Sequence, residues 1–214
     1  MAVAAVSRPG DRSYRATVAV VVLILLSIPI GLYAFGFQFA GIGSPEFHAR
    51  FATSPVMAAF HVIGGGFALI AGGFQFSTRL RRRAPALHRW VGRFYLMVVL
   101  FGAIGGAALA TIATGGLVAR VGFFLLAILW LWSGTAAYLA IRRRDIDTHR
   151  RWMVRNFALT FAAVTLRLHL PMLQFGFGVP FDAAYPVVAW LAWVPNLVVA
   201  EWLILANRPR AATP

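Results

Sequence analysis

The sequence contains no cysteine, which excludes disulfide bonds, thiol redox chemistry, cysteine-ligated zinc and iron–sulfur clusters. Lysine is absent as well, so all 20 basic residues are arginine, a bias that fits a GC-rich bacterial genome. Only six residues are acidic, and the charged fraction of 12% is about half that of a soluble domain. So few charges leave too little polar surface to cover a water-soluble globule.

Long apolar runs account for the hydrophobic fraction of 60%. A helix needs about 20 apolar residues to cross roughly 30 Å of bilayer hydrocarbon. Six runs are therefore predicted to span the membrane, at about 16–36, 55–77, 90–113, 118–141, 152–173 and 185–206. Because the connections are short, consecutive helices are expected to be antiparallel neighbours. We predict one all-α integral membrane domain over 1–214, a six-transmembrane-helix bundle in contact with the lipid bilayer.

Arginines are distributed unequally between the two sides of the predicted bundle. Seventeen lie on one side: Arg8, Arg12, Arg15, Arg79, Arg81, Arg82, Arg83, Arg89, Arg93, Arg142, Arg143, Arg144, Arg150, Arg151, Arg155, Arg208 and Arg210. The other side has only Arg50 and Arg120, and Arg167 lies inside the fifth run. The positive-inside rule therefore predicts a bacterial inner-membrane protein with both termini in the cytoplasm. Because the arginines lie at the ends of apolar runs and serve as topology signals, the net charge of +14 does not indicate a nucleic-acid partner, and none is expected.

An internal repeat relates the two arginine-rich loops. The triplet Arg81-Arg82-Arg83 precedes His88 by the same spacing that separates Arg142-Arg143-Arg144 from His149. The matched spacing favours a true repeat over two unrelated basic loops. It predicts that helices 2–3 and 4–5 are two parallel-repeat hairpins. These hairpins would form a four-helix core flanked by helices 1 and 6.

Four of the five histidines form two depth-matched pairs. His61 and His169 each lie roughly 16 or 17 residues, or about 25 Å, from the cytoplasmic ends of their helices. His88 and His149 match each other at the cytoplasmic interface. Each iron of a two-haem membrane cytochrome takes axial ligands from two helices, so this arrangement predicts one or two haem b groups ligated by these four residues.

Arg167 lies two residues from His169 and inside an apolar run. Burying an isolated arginine costs several kcal/mol, so its side chain should face a cavity or an anion, such as a haem propionate. Glycines near His61, among them Gly65 and Gly72, would leave room for a porphyrin. Simpler explanations stay open: small residues commonly serve helix packing, His61 can hydrogen-bond a neighbouring helix, and His88 can be an ordinary interfacial residue.

Two further polar features belong to the sixth run. Glu201 lies near its cytoplasmic end and is expected to meet the cytoplasmic arginines rather than Arg167, which lies at another depth. Pro195 should kink the helix, and Asn196 could bond the carbonyls that the kink frees.

Several motifs occur together over residues 55–173. They are His61 with Gly65, Ala68-Leu69, Gly72 and Gln75-Phe76; Pro85-x-Leu87-His88-Arg89-Trp90-x-Gly92-Arg93-x-Tyr95; His149-Arg150-Arg151-Trp152-Met153-x-Arg155-Asn156; and Thr165-Leu166-Arg167-x-x-Leu170-Pro171. This set resembles the bacterial membrane-protein family called domain of unknown function 2306 (DUF2306). The resemblance implies that His61, His88, His149 and Arg167 are motif positions, gives His169 less support, and implies no reaction.

A more distant resemblance is to the cytochrome b561-type membrane cytochromes, which also have six helices and a four-helix core. It implies two haems held by histidines of helices 2 and 4 and of helices 3 and 5. Helix 4 of this sequence, about 118–141, contains no histidine. The pairing of His61 with His169 and of His88 with His149 therefore follows from depth alone.

Three hypotheses about function stay open. The preferred one is a haem b electron-transfer protein or reductase subunit, exchanging electrons with a redox partner or a quinone. The second is a small-molecule transporter with a cavity at Arg167. The third is a non-catalytic assembly partner, with itself as a homo-oligomer or with other subunits. Whether the protein is an enzyme is left open, since we find no nucleotide-binding loop, HExxH motif, Ser/His/Asp set or paired carboxylates.

Overall fold

The computed structural model describes residues 9–206, and every regular element in this range is helical. The ten α-helices, with one π-helical turn at Met172–Gly176, are α1 (Pro9–Ala40), α2 (Pro45–Ala52), α3 (Pro55–Gln75), α4 (Thr78–Arg83), α5 (Pro85–Ala110), α6 (Gly116–Arg142), α7 (Ile146–Thr160), α8 (Ala162–Pro171), α9 (Phe181–Leu191) and α10 (Val194–Ala206). Within the described range, six helical segments are long and apolar enough to cross a membrane. The predicted six-span bundle is thereby confirmed.

Four spans are single helices and two are interrupted. The helices α1, α3, α5 and α6 form spans one to four; α7, α8 and the π-turn form span five, and α9 and α10 form span six. Several spans begin earlier than predicted, because an apolar run marks only the part of a helix inside hydrocarbon. Pro85 starts α5 at a position where a missing N–H costs nothing. The carboxylate of Asp145 caps α7 by accepting a bond from Thr148 N at 2.9 Å, and this bond lowers the pKa of Asp145.

Helix packing follows the predicted arrangement. Helix α3 packs on α5, α6 packs on α7, and α5 joins the two hairpins by packing on α6. Outside this four-helix core, α1 lies against α3, while α9 and α10 lie against α6 and α7. Local contacts repeat as well: the guanidinium of Arg93 lies 4.9 Å from the Trp90 ring centroid, and that of Arg155 lies 4.7 Å from the Trp152 ring centroid.

The contact between α3 and α5 depends on glycine. A Cβ atom at Gly64 would lie 2.8 Å from the carbonyl oxygen of Val98, and one at Gly105 would collide with the carbonyl oxygen of Met57. The two backbones therefore approach as closely as in other small-residue membrane interfaces. Most glycines of α3 and α5 serve helix packing, but a Cβ atom at Gly65 would meet nothing within 4 Å.

A buried hydrogen-bond network joins spans three, four and five at mid-height. The hydroxyl of Tyr95 donates to Asn156 Oδ1 at 2.6 Å and lies 2.8 Å from the hydroxyl of Thr160. Trp130 Nε1 donates to Thr160 Oγ1 at 2.8 Å. The amide of Asn156 donates to the carbonyl of Trp130 and to the hydroxyl of Ser133, at 2.8 and 2.9 Å. All five residues are buried, so the network holds three helices in one register.

The bundle has two distinct ends. The end at which α1 begins and α10 ends, here called the terminal side, also carries α4 and the α6–α7 turn; the opposite end, the far side, carries α2 and the α5–α6 turn. On the terminal side Arg155 forms a two-pronged ion pair with Glu201, with N–O distances of 2.5 and 2.8 Å, as predicted for Glu201. Arg8, Arg208 and Arg210, which contributed to the predicted topology, lie outside the described residues.

Replacing Gly105 by alanine should destabilise the bundle, because the new methyl group would push α3 away from α5 at a cost of about 1–3 kcal/mol. The matched control is Gly65→Ala, whose methyl group has open space and should leave stability nearly unchanged. The measurement is the thermal unfolding midpoint of the purified protein in a non-ionic detergent. Equal midpoints for the two variants would contradict the packing described here.

Candidate functional site

A cavity of about 380 Å³ occupies the far-side half of the bundle. Its walls come from α1, α2, α3, α5, α6, α7, α8 and α9, and they are mostly aliphatic and aromatic. The polar or titratable lining residues are Tyr33, Ser44, Arg50, His61, Trp130, Thr160, Arg167 and Tyr185. Within residues 9–206, no aspartate or glutamate lines the cavity. Among these residues, the permanent charges of the apolar chamber are therefore all positive.

Arg167 projects from α8 into this chamber. One of its guanidinium nitrogens donates to the carbonyl of Ala163 at 3.0 Å, and the group lies 4.9 Å from the ring centroid of Tyr33. Arg50, on α2, lies 5.2 Å from the ring centroid of Phe47. Tyr185 is within electrostatic range of both arginines. Neither arginine forms an ion pair with a carboxylate in residues 9–206, so two cations share an apolar cavity without a counter-charge.

His61 lies on the α3 wall of the cavity with a defined tautomer. Its Nδ1 is 3.0 Å from the carbonyl oxygen of Gly102. A carbonyl can only accept, so Nδ1 carries the proton and donates. In the neutral ring Nε2 is then free to accept a hydrogen bond or to ligate a metal, as in metal-binding histidines that donate from the other nitrogen. The bond to α5 agrees with the simpler explanation given above, and it leaves one nitrogen for a ligand.

His169 is not part of the cavity lining. Two residues along a helix correspond to a rotation of about 200°, so His169 and Arg167 lie on opposite sides of α8. His169 is partly buried, and its Nδ1 has no hydrogen-bond partner among the described residues. The structure thus brings His61 and Arg167 to one chamber and leaves His169 outside it.

His88 and His149 lie at the terminal side, far from the cavity. Nδ1 of His149 donates to the carbonyl of Ala137 at 2.9 Å, whereas Nδ1 of His88 is buried and has no partner in the described part of the chain. The two rings are within electrostatic range of each other, and their pairing as ligands stays a prediction. Nowhere in residues 9–206 do three or more His, Cys, Asp or Glu side chains gather in a metal-binding group.

The apolar runs predict only a connection between spans one and two, but the structure places the helix α2 there, and α2 contributes to the cavity wall. Ser44 accepts a bond from Phe47 N as the N-cap, and Pro45 occupies the first helical turn. These two signals are typical of a helix start and could have predicted the element. Arg50 was counted only as a topology signal, although α2 carries it to the cavity.

Span five is broken beside the cavity, and span six is broken where Ala192 meets Thr165 of α8. The break between α7 and α8 falls at Phe161, and that between α9 and α10 falls just before Val194. The hydroxyl of Thr165 donates to the carbonyl of Ala192 at 2.5 Å, and the amide of Asn196 donates to the same carbonyl at 2.9 Å. Asn196 thus bonds a carbonyl at the break, while a kink caused by Pro195 stays a prediction. The break precedes Pro195, which sits in the first turn of α10, where its missing N–H is harmless.

A family model described as a predicted membrane protein (DUF2306) matches residues 58–204. The chain belongs to this family. The match contains His61, His88, His149, Arg167 and His169, and it continues through the sixth span beyond residue 173. No curated protein and no solved structure matches the chain, and the distant resemblance to cytochrome b561 gains no support. The description of the DUF2306 family names a membrane protein without a reaction, so a function has to be argued from the cavity.

Proposed function

We propose that this DUF2306 protein is a transporter that binds a small amphipathic anion in its far-side cavity. The observation that carries the proposal is Arg167, a guanidinium held in an apolar membrane span, in a cavity that it shares with the guanidinium of Arg50 and that no carboxylate of the described residues lines. Such a charge is costly within a membrane unless it meets an anion or water. An anionic ligand supplies the counter-charge that the described protein does not.

The lining determines what kind of ligand fits. Arg167 and Arg50 would hold a carboxylate or phosphate by charge-assisted hydrogen bonds. The neutral His61 can accept a proton or a hydrogen bond through Nε2. The aliphatic and aromatic remainder of the wall suits an apolar body, and 380 Å³ lies in the lower part of the range of small-molecule pockets.

Transport, rather than binding alone, is supported by the helix breaks. Secondary transporters commonly place their substrate site near mid-membrane beside discontinuous helices, and many are built from repeated units. Here the chamber adjoins the break in span five, α8 bonds the break in span six through Thr165, and the bundle is built on two hairpins. Because the broken backbone is bonded by side chains such as Asn196 and Thr165, rearranging those bonds would let α8 and α10 move.

Haem b electron transfer is a second candidate, and the tautomer of His61 favours it. His61 would hold the haem iron through Nε2, and Arg50 and Arg167 would pair with the propionates. The cavity lining offers no second histidine, so His169 could join only after a rearrangement of α8. If bound, the haem would supply one-electron redox chemistry, exchanging electrons with a partner protein or a quinone. The modest cavity is a better match to a compact anion than to a porphyrin.

We also propose that the protein lies in a bacterial inner membrane with its terminal side in the cytoplasm. Support comes from the arginines: those of α4 and the α6–α7 turn belong to the terminal side, whereas the described far-side end has only Arg50 on α2 and Arg120 near the start of α6.

Arg167→Gln should weaken binding of decyl phosphate or decanoate about 10- to 100-fold, because bonds to a charged group contribute about 1.5–3 kcal/mol. Affinity would be measured by ligand-induced thermal stabilisation in a non-ionic detergent. Arg120→Gln, on the same side but outside this cavity, is the matched control, and decyltrimethylammonium tests the sign of the charge. Binding that is unaffected by Arg167→Gln, or equal for the cation, would contradict the proposal. The variant should remain folded, since it removes a charge without a carboxylate partner.

For the haem alternative, protein purified from haem-supplied cells should show a Soret band that shifts on reduction, and His61→Ala should lose it. His169→Ala is the matched control and should retain the band, because His169 lies outside the cavity. A colourless wild-type preparation would eliminate haem.

Orientation can be tested with alkaline phosphatase, which is active only outside the cytoplasm. A fusion after Gly115, on the far side, should be active, and a fusion after Arg144, on the terminal side, should be inactive. The opposite pattern would invert the proposed topology.

A further inference from the structure

The cavity wall contains a nitrogen that can take up a proton, Nε2 of His61. The ring is held at its other nitrogen, because Nδ1 is 3.0 Å from the carbonyl oxygen of Gly102. A Cβ atom at Gly106 would lie 2.8 Å from Nδ1 and 3.1 Å from Cε1, so this edge of the ring rests on α5. Nε2 has no hydrogen-bond partner among the described residues. The unpaired Nδ1 atoms of His88 and His169 are enclosed by protein, whereas Nε2 of His61 belongs to a ring that lines a cavity.

The charges around His61 oppose a proton while the cavity is empty. The titratable or charged groups that share the cavity with it are Tyr33 on α1, Arg50 on α2, Arg167 on α8 and Tyr185 on α9. The described lining residues of α5, α6 and α7 carry no titratable group, and Tyr95 of α5 packs on α3 at Gly72, about three turns from His61. A proton on His61 would add a third positive charge to two guanidinium groups, so the empty cavity favours the neutral ring.

A neutral His61 presents a lone pair, and no hydrogen, to any ligand that touches Nε2. Its one N–H is on Nδ1, and that hydrogen is directed at Gly102. An ionised carboxylate also offers only lone pairs. Two acceptors repel at contact unless a proton lies between them. An anion that is held by Arg167 and lies against His61 is therefore bound best together with a proton.

We propose that His61 takes up a proton when the cavity binds its anion, and that the protein moves the two together as a proton–anion symporter. This inference rests on the proposed function and adds the coupled ion to it. The proton comes from solution and binds Nε2, which makes the ring an imidazolium. The new N–H then donates to an anionic oxygen of the ligand. No covalent bond of the ligand is broken, and the anion and the proton leave together.

The two guanidinium groups couple the proton to the anion. While the anion is bound, its charge offsets those of Arg50 and Arg167, and the imidazolium has an acceptor for its hydrogen bond. Once the anion leaves, His61 again shares the cavity with two uncompensated cations, and the proton leaves as well. Histidine suits this task because its side chain titrates near neutral pH. A monovalent anion and a proton together carry no net charge, so the membrane potential neither drives nor opposes their movement.

The test counts protons by calorimetric titration of the purified full-length protein in dodecyl maltoside with decanoate near neutral pH, where the free carboxyl group is ionised. Heats measured in two buffers of different ionisation enthalpy give the number of protons exchanged. Wild type should take up about one proton per anion bound. His61→Gln should bind decanoate through the arginines without taking up a proton. His169→Gln is the matched control and should keep the uptake, since His169 has the height of His61 but lies outside the cavity.

A second measurement needs only the wild-type protein. If each bound anion brings a proton, the Kd for decanoate should rise about tenfold per pH unit on the alkaline side, where the ring of the free protein is neutral. A Kd that is independent of pH would overturn the inference even if His61→Gln failed to fold.

The outcomes separate this inference from the proposed function. Decanoate binding without proton uptake would overturn the symport and leave the anion site in place. Equal uptake in wild type and His61→Gln would place the proton on another group and overturn the role of His61. A wild-type protein that binds no decanoate would overturn the inference and the proposed function together.

Discussion

The hydrogen bonds around Asn156 are the constraint on which the rest of the bundle depends. One side chain bonds Tyr95 of span three and Trp130 and Ser133 of span four from its own position in span five. In hydrocarbon no water competes for these groups, so any shift of one helix would leave several of them unpaired. Thr160 and Trp130 belong both to this network and to the cavity wall. The network therefore forms a fixed part of the cavity wall, next to the break between α7 and α8.

The architecture was predictable because the bilayer imposes it. Length and hydropathy determine a spanning helix, arginine marks one side, and a matched loop spacing identified the two hairpins. Each of these signals is local in sequence. The predicted ends of the helices were less accurate. Helices α5 and α7 begin in the polar interface, where Pro85 starts α5 and Asp145 caps α7, so both are longer than their apolar runs.

The site was predictable only in part. Arg167 and His61 were identified because a titratable group in an apolar run is visible in sequence, and both line the chamber. Depth, however, specifies only how far across the membrane a residue lies. It does not specify the direction in which the side chain points around the helix axis. His169 has the height of His61 but lies on the other side of α8 from the cavity, so equal depth did not place the two rings together. The role of Arg50 depends on where a short helix docks, which no local pattern encodes.

The two hairpins of the repeat differ at the far side of the bundle. The interval from His88 to His149 places Gly122 at the position equivalent to His61. A Cβ atom at Gly122 would lie 2.9 Å from the indole nitrogen of Trp190, so the sixth span occupies the space that the second hairpin could have used for a chamber of its own. The arginine–tryptophan stacks persist in both copies at the opposite end. If the hairpins descend from one duplicated ancestor, membrane anchoring preserved that end of each copy, and the other end was free to diverge until only the first hairpin placed an imidazole at this position in the cavity wall.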